Sequence, residues 1–353
     1  MKRLLFAFFA CCLLFGCGGG GGNSSNVNRT GPIFRLVDLG TLNHMESVSA
    51  AINDSGQVVG RADDLNTTTY RAFLYQNGSA TGLSTTDGLL GAPSKINSAG
   101  QVVGFTTDNS STDRAFLFNN GVVTDLNAAL GAAQSAASGI NDSGQVVGQY
   151  RTDISGQARA FLYSNGTLTT LPTLGGSGNF ATSINASGQV VGTSYTSGTS
   201  GAHAFLYSNG QMTDLGTLGG PISEADAIND SGQVVGSAYT GGQDTIGNPV
   251  SHAYLYSNGA IHDLDALGSP GSVALGINNS GQIVGRVRSA PGATPLYKAV
   301  LFQDNKVYDL NGQLDHTYPG WSLDTANAIN NNGWIAGTGI YNGHYHAILL
   351  VPA

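Results

Sequence analysis

The chain of 353 residues has little cysteine, little glutamate and little charge of any kind. Of its three cysteines, Cys11 and Cys12 fall in an N-terminal apolar stretch that reads as a leader, and only Cys17 follows it. No disulfide can then form within the mature chain, so the fold has to stand on packing. Glu46 and Glu224 are the only glutamates, and charged residues make up 10% of the chain against about 25% in ordinary domains. So scarce a supply of the helix formers Glu and Lys argues against a helical protein. Without Lys2 and Arg3, which leave with the leader, 12 basic residues face 22 acidic ones, a formal net charge of −10. That balance argues against nucleic acid and anionic membrane surfaces as partners.

What the chain has in excess is glycine, 52 residues or about twice the usual share, and repetition. "INDSGQVVG" begins at Ile52, Ile140 and Ile228, with variants at Ile96, Ile184, Ile277 and Ile329. Those isoleucines step by 44 residues four times, then by 49 and 52. A second phrase, "RAFLYQNG" at Arg71 and "HAFLYSNG" at His203, recurs between them. A period of this size marks an array of supersecondary units rather than a single motif.

Within a unit, "SVSAAIN", "QVVGRA", "YRAFLY" and "SATGLS" each read as a short strand, separated by turns. The N-x-S-G phrase puts Gly56 and its six equivalents at a turn position where a left-handed backbone is cheap only without a Cβ. Asn53 and its equivalents can bond their own backbone two residues on, which assigns them to the turn rather than to a ligand. In "AFLY" alternate residues point to opposite faces, yet all four are apolar, so both faces of the sheet are covered. Small antiparallel sheets stacked face to face in this way predict an all-β fold, a seven-bladed β-propeller of four-stranded blades.

The ends support that count. A fourth-strand sequence, "FRLVDL" from Phe34, precedes the first Ile-Asn unit, while the chain stops after the last third strand, "HAILLV". Seven complete blades form only if the N-terminal strand closes the last one. The 13-residue span from the end of most fourth strands to the next Ile-Asn suits the crossing from the outer edge of one blade to the inner edge of the next. The strand that begins near Ser49 is then innermost.

Residues 1–16, with Lys2 and Arg3 before "LLFAFFACCLLFG", read as a signal peptide too short to span a bilayer. "LFGC" resembles the lipobox of bacterial lipoproteins, with Phe15 where a small residue is usual; the resemblance implies a lipid on Cys17. Residues 17–32 form a Gly-rich linker and 33–353 the propeller of seven repeats of about 44 residues. The phrases "HAFLY", "DLGTLGG" and "IN…GQVVG" resemble the HAF repeat of bacterial extracellular proteins from about Phe34 to the end. Tyr207 and Tyr256 stand where that family often has Trp. The resemblance implies secretion and a repeat architecture, and carries no catalytic residues.

The residue before "AF", "AY", "AV" or "AI" is cationic in all seven units: Arg71, Arg114, Arg159, His203, His252, Lys298 and His346. A ring of cations for an anionic ligand is one reading; partnership with Asp125, Asp214, Asp263 or Asp309 on the adjacent strand is the favoured one. His344 and His346 share a strand face, but no third metal ligand accompanies them, and "LGTLGG" has no helix after it to make a phosphate loop. No catalytic residue, cofactor or metal site is assigned. The reading is a monomeric, surface-anchored binding or scaffold module on the outer membrane or cell surface, or otherwise secreted, touching the membrane through its lipid alone. A glycan or protein ligand is expected on the variable loops "RADDLNTTTY", "FTTDNSSTD", "SAYTGGQDTIGNPVS" and "RVRSAPGATPLY". The alternatives are a carbohydrate-active hydrolase or lyase with Asp residues near the channel, marked by acids of perturbed pKa, and a purely structural envelope protein.

Overall fold

A computed structural model describes residues 31–63, 70–83, 91–107, 112–198, 201–244, 247–264, 267–269, 271–289 and 296–353. Cys17 and the rest of the first thirty residues lie outside it. The described chain forms seven four-stranded antiparallel sheets. Their first strands are Glu46–Ile52, Gly91–Ile96, Gln134–Ile140, Gly175–Ile184, Ser223–Ile228, Ser272–Ile277 and Trp321–Ile329, which define blades 1 to 7. These strands contact one another from blade to blade all round, and so enclose the axis. Blade 7 is completed by Phe34–Asp38, which pairs with His344–Pro352 in the register Phe34↔Pro352 to Asp38↔Ile348. The expected ring closure is therefore present. The only helical turns among the described residues are Asn127–Leu130 and Leu310–Gln313, both in crossings between blades.

Local sequence explains the turns. Gly56, Gly144 and Gly333 of the N-x-S-G phrase have φ of +77°, +74° and +76°. In the second hairpin Asn209 and Gly210 both have positive φ, 51° and 81°, the geometry of the two-residue turn that matches the twist of paired strands. Seven apolar clusters lie between successive blades, each joining the first residue of the "VV" pair and the "AF" residue of one blade to the second "VV" residue of the blade before; the "AF" residue is aromatic in five, and Phe73, Phe161, Phe205 and Tyr254 are fully buried. Such rings, at roughly 1.5–3 kcal/mol each, carry much of the inter-blade stability.

All seven first strands bulge at the same place. The register shifts around Ala50, Ser94, Ser138, Thr182, Asp226, Leu275 and Asn327 leave one residue unpaired in each blade. All but Asn327 are half-exposed, and in blades 4 and 7 the bulge side chain reaches the next blade, Thr182 Oγ1 donating to Ala225 O at 2.6 Å and Asn327 Nδ2 to Ser49 O at 2.8 Å. The bulge also explains the glycine of "VVG". A Cβ on Gly60 would stand 2.2 Å from the carbonyl oxygen of Val48 and 2.6 Å from the ring of Phe73. Only glycine lets the bulged strand and the aromatic ring close over it.

The stretch Ser237–Ser251 differs from the loop expected. Strands Val234–Gln243 and Pro249–Ser257 extend through most of it, with Gln243 opposite Pro249. The main chain of Tyr239 is bound at both ends by the preceding crossing, its N–H donating to Ile222 O at 2.9 Å and its carbonyl accepting from Gly220 N at 2.8 Å. Those two bonds to the crossing extend the ladder where composition alone read as a loop.

Candidate functional site

The cationic residues before the third-strand core do not converge on a ligand. Arg114 is ion-paired with Asp125, His203 Nδ1 with Asp214 at 2.8 Å, His252 Nδ1 with Asp263 at 2.8 Å, Lys298 Nζ with Asp309 at 3.2 Å and His346 Nδ1 with Asp38 at 3.1 Å. Each joins the third strand of a blade to its outermost fourth, away from the axis. In blades 1 and 3 the place of the Asp is taken by Gly82 and Thr170, and Arg71 and Arg159 point to solvent. The cross-strand reading holds. Pairs this exposed contribute about 0–1 kcal/mol each. His346 is held by Asp38 and by the rings of Trp321 and Tyr341, and among the described residues no group of three metal-ligating side chains occurs.

The turn asparagines do more than close their own turns. Asn141 Oδ1 accepts from Ser143 N and Gln145 N, as local turn chemistry requires, while its Nδ2 donates to Gln145 Oε1 at 2.8 Å and to Asn185 O of the next blade at 3.0 Å. The same inter-blade bond runs from Asn53 to Asn97, Asn97 to Asn141, Asn185 to Asn229, Asn229 to Asn278, Asn278 to Asn330, and Asn330 back to Asn53. Seven buried amides thus form one closed belt. Sequence reasoning gave them only the turn role, because the acceptor is some 44 residues away.

The opposite face and the channel carry what differs between blades. The described part of the loop face holds Trp321 stacked on Tyr341, with ring centres 5.0 Å apart. Residues 64–69, 108–111, 245–246 and 290–295 of the variable connections lie outside the described residues. Along the channel, blade 5 departs from the other six. Its first strand bears Glu224 where the others have Val48, Ala92, Ala136, Phe180, Val273 and Thr325, and its bulge residue is Asp226. Its third strand has Tyr254 where four blades have Phe.

These acids are perturbed. Burial, reinforced by Glu224, holds the Asp226 carboxyl well above the usual carboxylate range, with Lys95 and Arg286 opposing. Burial likewise raises Glu224 and, against a hydrogen bond from Thr325 and the charge of Arg286, Asp324. Glu46, at the loop-face end of blade 1, is raised by burial and partly lowered by a backbone hydrogen bond from Tyr345. Lys95, on the first strand of blade 2, is pushed down by burial and held up in part by the field of Asp226. Tyr254 is raised by burial and then by Asp226 and Glu224; its hydroxyl is fully enclosed and has no hydrogen-bond partner. Neither glutamate was singled out as a site in the sequence, although their rarity, two in the whole chain, was the available signal.

No family model matches the chain, and no curated protein matches it. Among solved structures, the chain is similar to the β-propeller domain of the Trilobed protease from Pyrococcus furiosus, with a TM-score of 0.52 at 7% identity over 87% of this chain and 93% of that one. The likeness is one of fold. That propeller is described as having an open velcro topology, whereas here Phe34–Asp38 closes the last blade. The WD40 β-propeller domain of Doa1 aligns with a TM-score of 0.47 at 11% identity over 89% and 96% of the two chains. TolB from Acinetobacter baumannii aligns at 0.42 and 13% identity over 87% of this chain, which spans 54% of TolB.

Proposed function

We propose that this chain is a surface-anchored propeller that acts as a binding or scaffold module, with a glycan or protein ligand on its loop face. The observation that supports this reading is the contrast between the two faces. On the tight-turn face every blade spends the same asparagine on the same inter-blade bond, and the turns are nearly identical. On the other face the second-to-third connection shrinks to the tight turn at Asn342 and Gly343 in blade 7 and grows to Ser289–Leu296 in blade 6. Loops that vary on a rigid, self-satisfied frame are the usual carriers of recognition. The described chain enters at the tight-turn face, where Pro352 beside Ile33 and Phe34 lies against Gly333. A lipid on Cys17, read from "LFGC", would act through the Gly-rich linker and bias the loops outward without fixing them there. A glycan and protein-partner array with the domain from Asn28 onward tests the reading. Binding that is lost on changing the loop-face connections supports it, and an empty array favours a structural envelope protein. With the anchored protein in membranes, Asp244→Cys should label faster than Asn258→Cys.

A second reading, a carbohydrate-active hydrolase or lyase, is favoured by one observation. The channel carboxyls of Glu224 and Asp226 are shifted toward the protonated form that a general acid needs. Reducing-end release from a polysaccharide panel, abolished by Asp226→Asn, would favour it over binding alone.

A further inference from the structure

Blade 7 ends differently from the other six on the loop face. Its second and third strands, Ile335–Tyr341 and His344–Pro352, are joined by Asn342 and Gly343 alone, whereas every other second-to-third connection is longer. No connection of its own therefore overhangs the end of this sheet. Three aromatic rings gather there. Trp321 stacks on Tyr341, its partner across the first two strands, with ring centres 5.0 Å apart and planes inclined by 21°. His346, on the third strand, stands edge-on to both, 5.4 Å from Trp321 and 5.7 Å from Tyr341. Its Nδ1 is held by Asp38 at 3.1 Å, which fixes the ring with Nε2 turned away from the carboxylate.

The fold does not require this cluster. In blade 4 the same pair of positions is filled by Gly175 and Thr196, and His203 keeps its aspartate at 2.8 Å with no ring stacked beside it among the described residues. Packing accounts for part of Trp321 only. Its ring rests on the apolar cluster between blades 6 and 7, yet it stays half-buried, as does Tyr341. The polar atoms of the three rings are the independent observation. Trp321 Nε1, Tyr341 Oη and His346 Nε2 have no hydrogen-bond partner among the described residues and are not closed off from water.

We propose that this end of blade 7 binds a neutral pyranose unit of a glycan, its C–H face on the rings of Trp321 and Tyr341 and its hydroxyls bonded to Trp321 Nε1, Tyr341 Oη and His346 Nε2. The inference rests on the loop-face reading and gives it a place and a ligand class. A sugar ring has an apolar face bordered by hydroxyls, and the cluster offers aromatic surface bordered by an N–H donor, a phenol and an imidazole nitrogen. Apolar surface with a few placed polar groups is the usual make-up of a small-ligand site. A wholly apolar ligand would leave those three polar atoms without partners. A metal ion finds no group of three ligating side chains among the described residues. An acidic sugar would bring its own charge beside the Asp38 carboxylate.

The test is tryptophan fluorescence and isothermal titration of the full chain with the methyl glycosides of glucose, galactose, mannose and N-acetylglucosamine, and with methyl glucuronide as the acidic control. At least one neutral glycoside should bind with a Kd of about 10 mM or tighter, about fivefold or more below that of the glucuronide, and change the emission. Trp321→Phe should abolish the emission change, because the other tryptophan, Trp334, lies on the tight-turn face against Gly56. Tyr341→Thr should fold, since blade 4 carries Thr196 at that place, and should weaken binding about tenfold. No heat and no emission change up to about 50 mM of every neutral glycoside would overturn the proposal, as would glucuronide binding equally well. A glycan or protein captured on the array whose binding survives both Trp321→Phe and Tyr341→Thr would leave the loop-face reading standing and remove the sugar from blade 7. Should Trp321→Phe fail to fold, the wild-type titrations with Tyr341→Thr still decide.

Discussion

Asn330 Nδ2 donates to the carbonyl of Asn53 at 3.0 Å, and with that bond the last blade takes hold of the first across 277 residues of sequence. The joint has a second member. Trp334 stands where the other tiles have Gln, and its ring lies 2.6 Å from where a Cβ on Gly56 would be. The closing joint therefore keeps the amide belt and replaces the polar Gln contact with an aromatic one.

The belt reverses an expectation about the turns. Taken as local turn chemistry, Asn141→Ala should cost less than Gly144→Val. Asn141 in fact makes four hydrogen bonds while 5% exposed, one of them to the next blade. Its loss strands buried partners, at about 3 kcal/mol, whereas forcing Val into φ +74° at Gly144 costs about 1–2 kcal/mol. Urea midpoints of the two variants check the order; Asn141→Ala unfolding at the wild-type midpoint would refute the belt's contribution.

Closure by the N-terminal strand predicts asymmetric deletions. Removing residues 28–42 strips Phe34 and Leu36 from a buried cluster and opens the edge of His344–Pro352. Removing residues 18–26 leaves every described contact in place. The first deletion should lower the melting temperature by many degrees and the second by almost none. Equal melting of the two proteins contradicts the closure.

Shortening the connection in blade 5 should depend on where the cut falls. Loss of Gly242–Asn248 removes the tip of the hairpin, whose residues are mostly exposed, and should leave the melting curve nearly unchanged. A cut that also removes Tyr239 breaks its two main-chain bonds to Gly220 and Ile222 and should destabilise by about 1–3 kcal/mol. Equal losses for the two cuts would show that the tip itself is packed.

Asp226 makes stability fall as pH rises. Its carboxyl is raised in the folded chain above its ordinary value of 3.8, so between that value and the raised one the native state holds a proton that the unfolded chain has released. The contribution is complete below the ordinary value and is lost as pH climbs through the raised one. Asp226→Asn should therefore be more stable than wild type at pH 8, with the gap closing toward pH 4, as read by denaturant midpoints at both values. A gap independent of pH would mean that Asp226 titrates normally.

Much of this protein follows from its sequence alone. The strands, the turns at Gly56 or Asn209, the seven units and the closing role of Phe34–Asp38 all rest on short-range rules: left-handed backbone at glycine, period-two alternation, and the arithmetic of a repeat with one strand displaced to the front. The cross-strand pairing of His203 with Asp214 was legible for the same reason, since a hairpin fixes which residues are neighbours. What only the tertiary structure decided lies between blades. The acceptor of Asn141 Nδ2 and the carbonyl that forbids a Cβ on Gly60 depend on the bulge in each first strand and on the ring that sets each blade against the next. Strand pairing is local and written in spacing, whereas the axis exists only once all seven blades have closed around it.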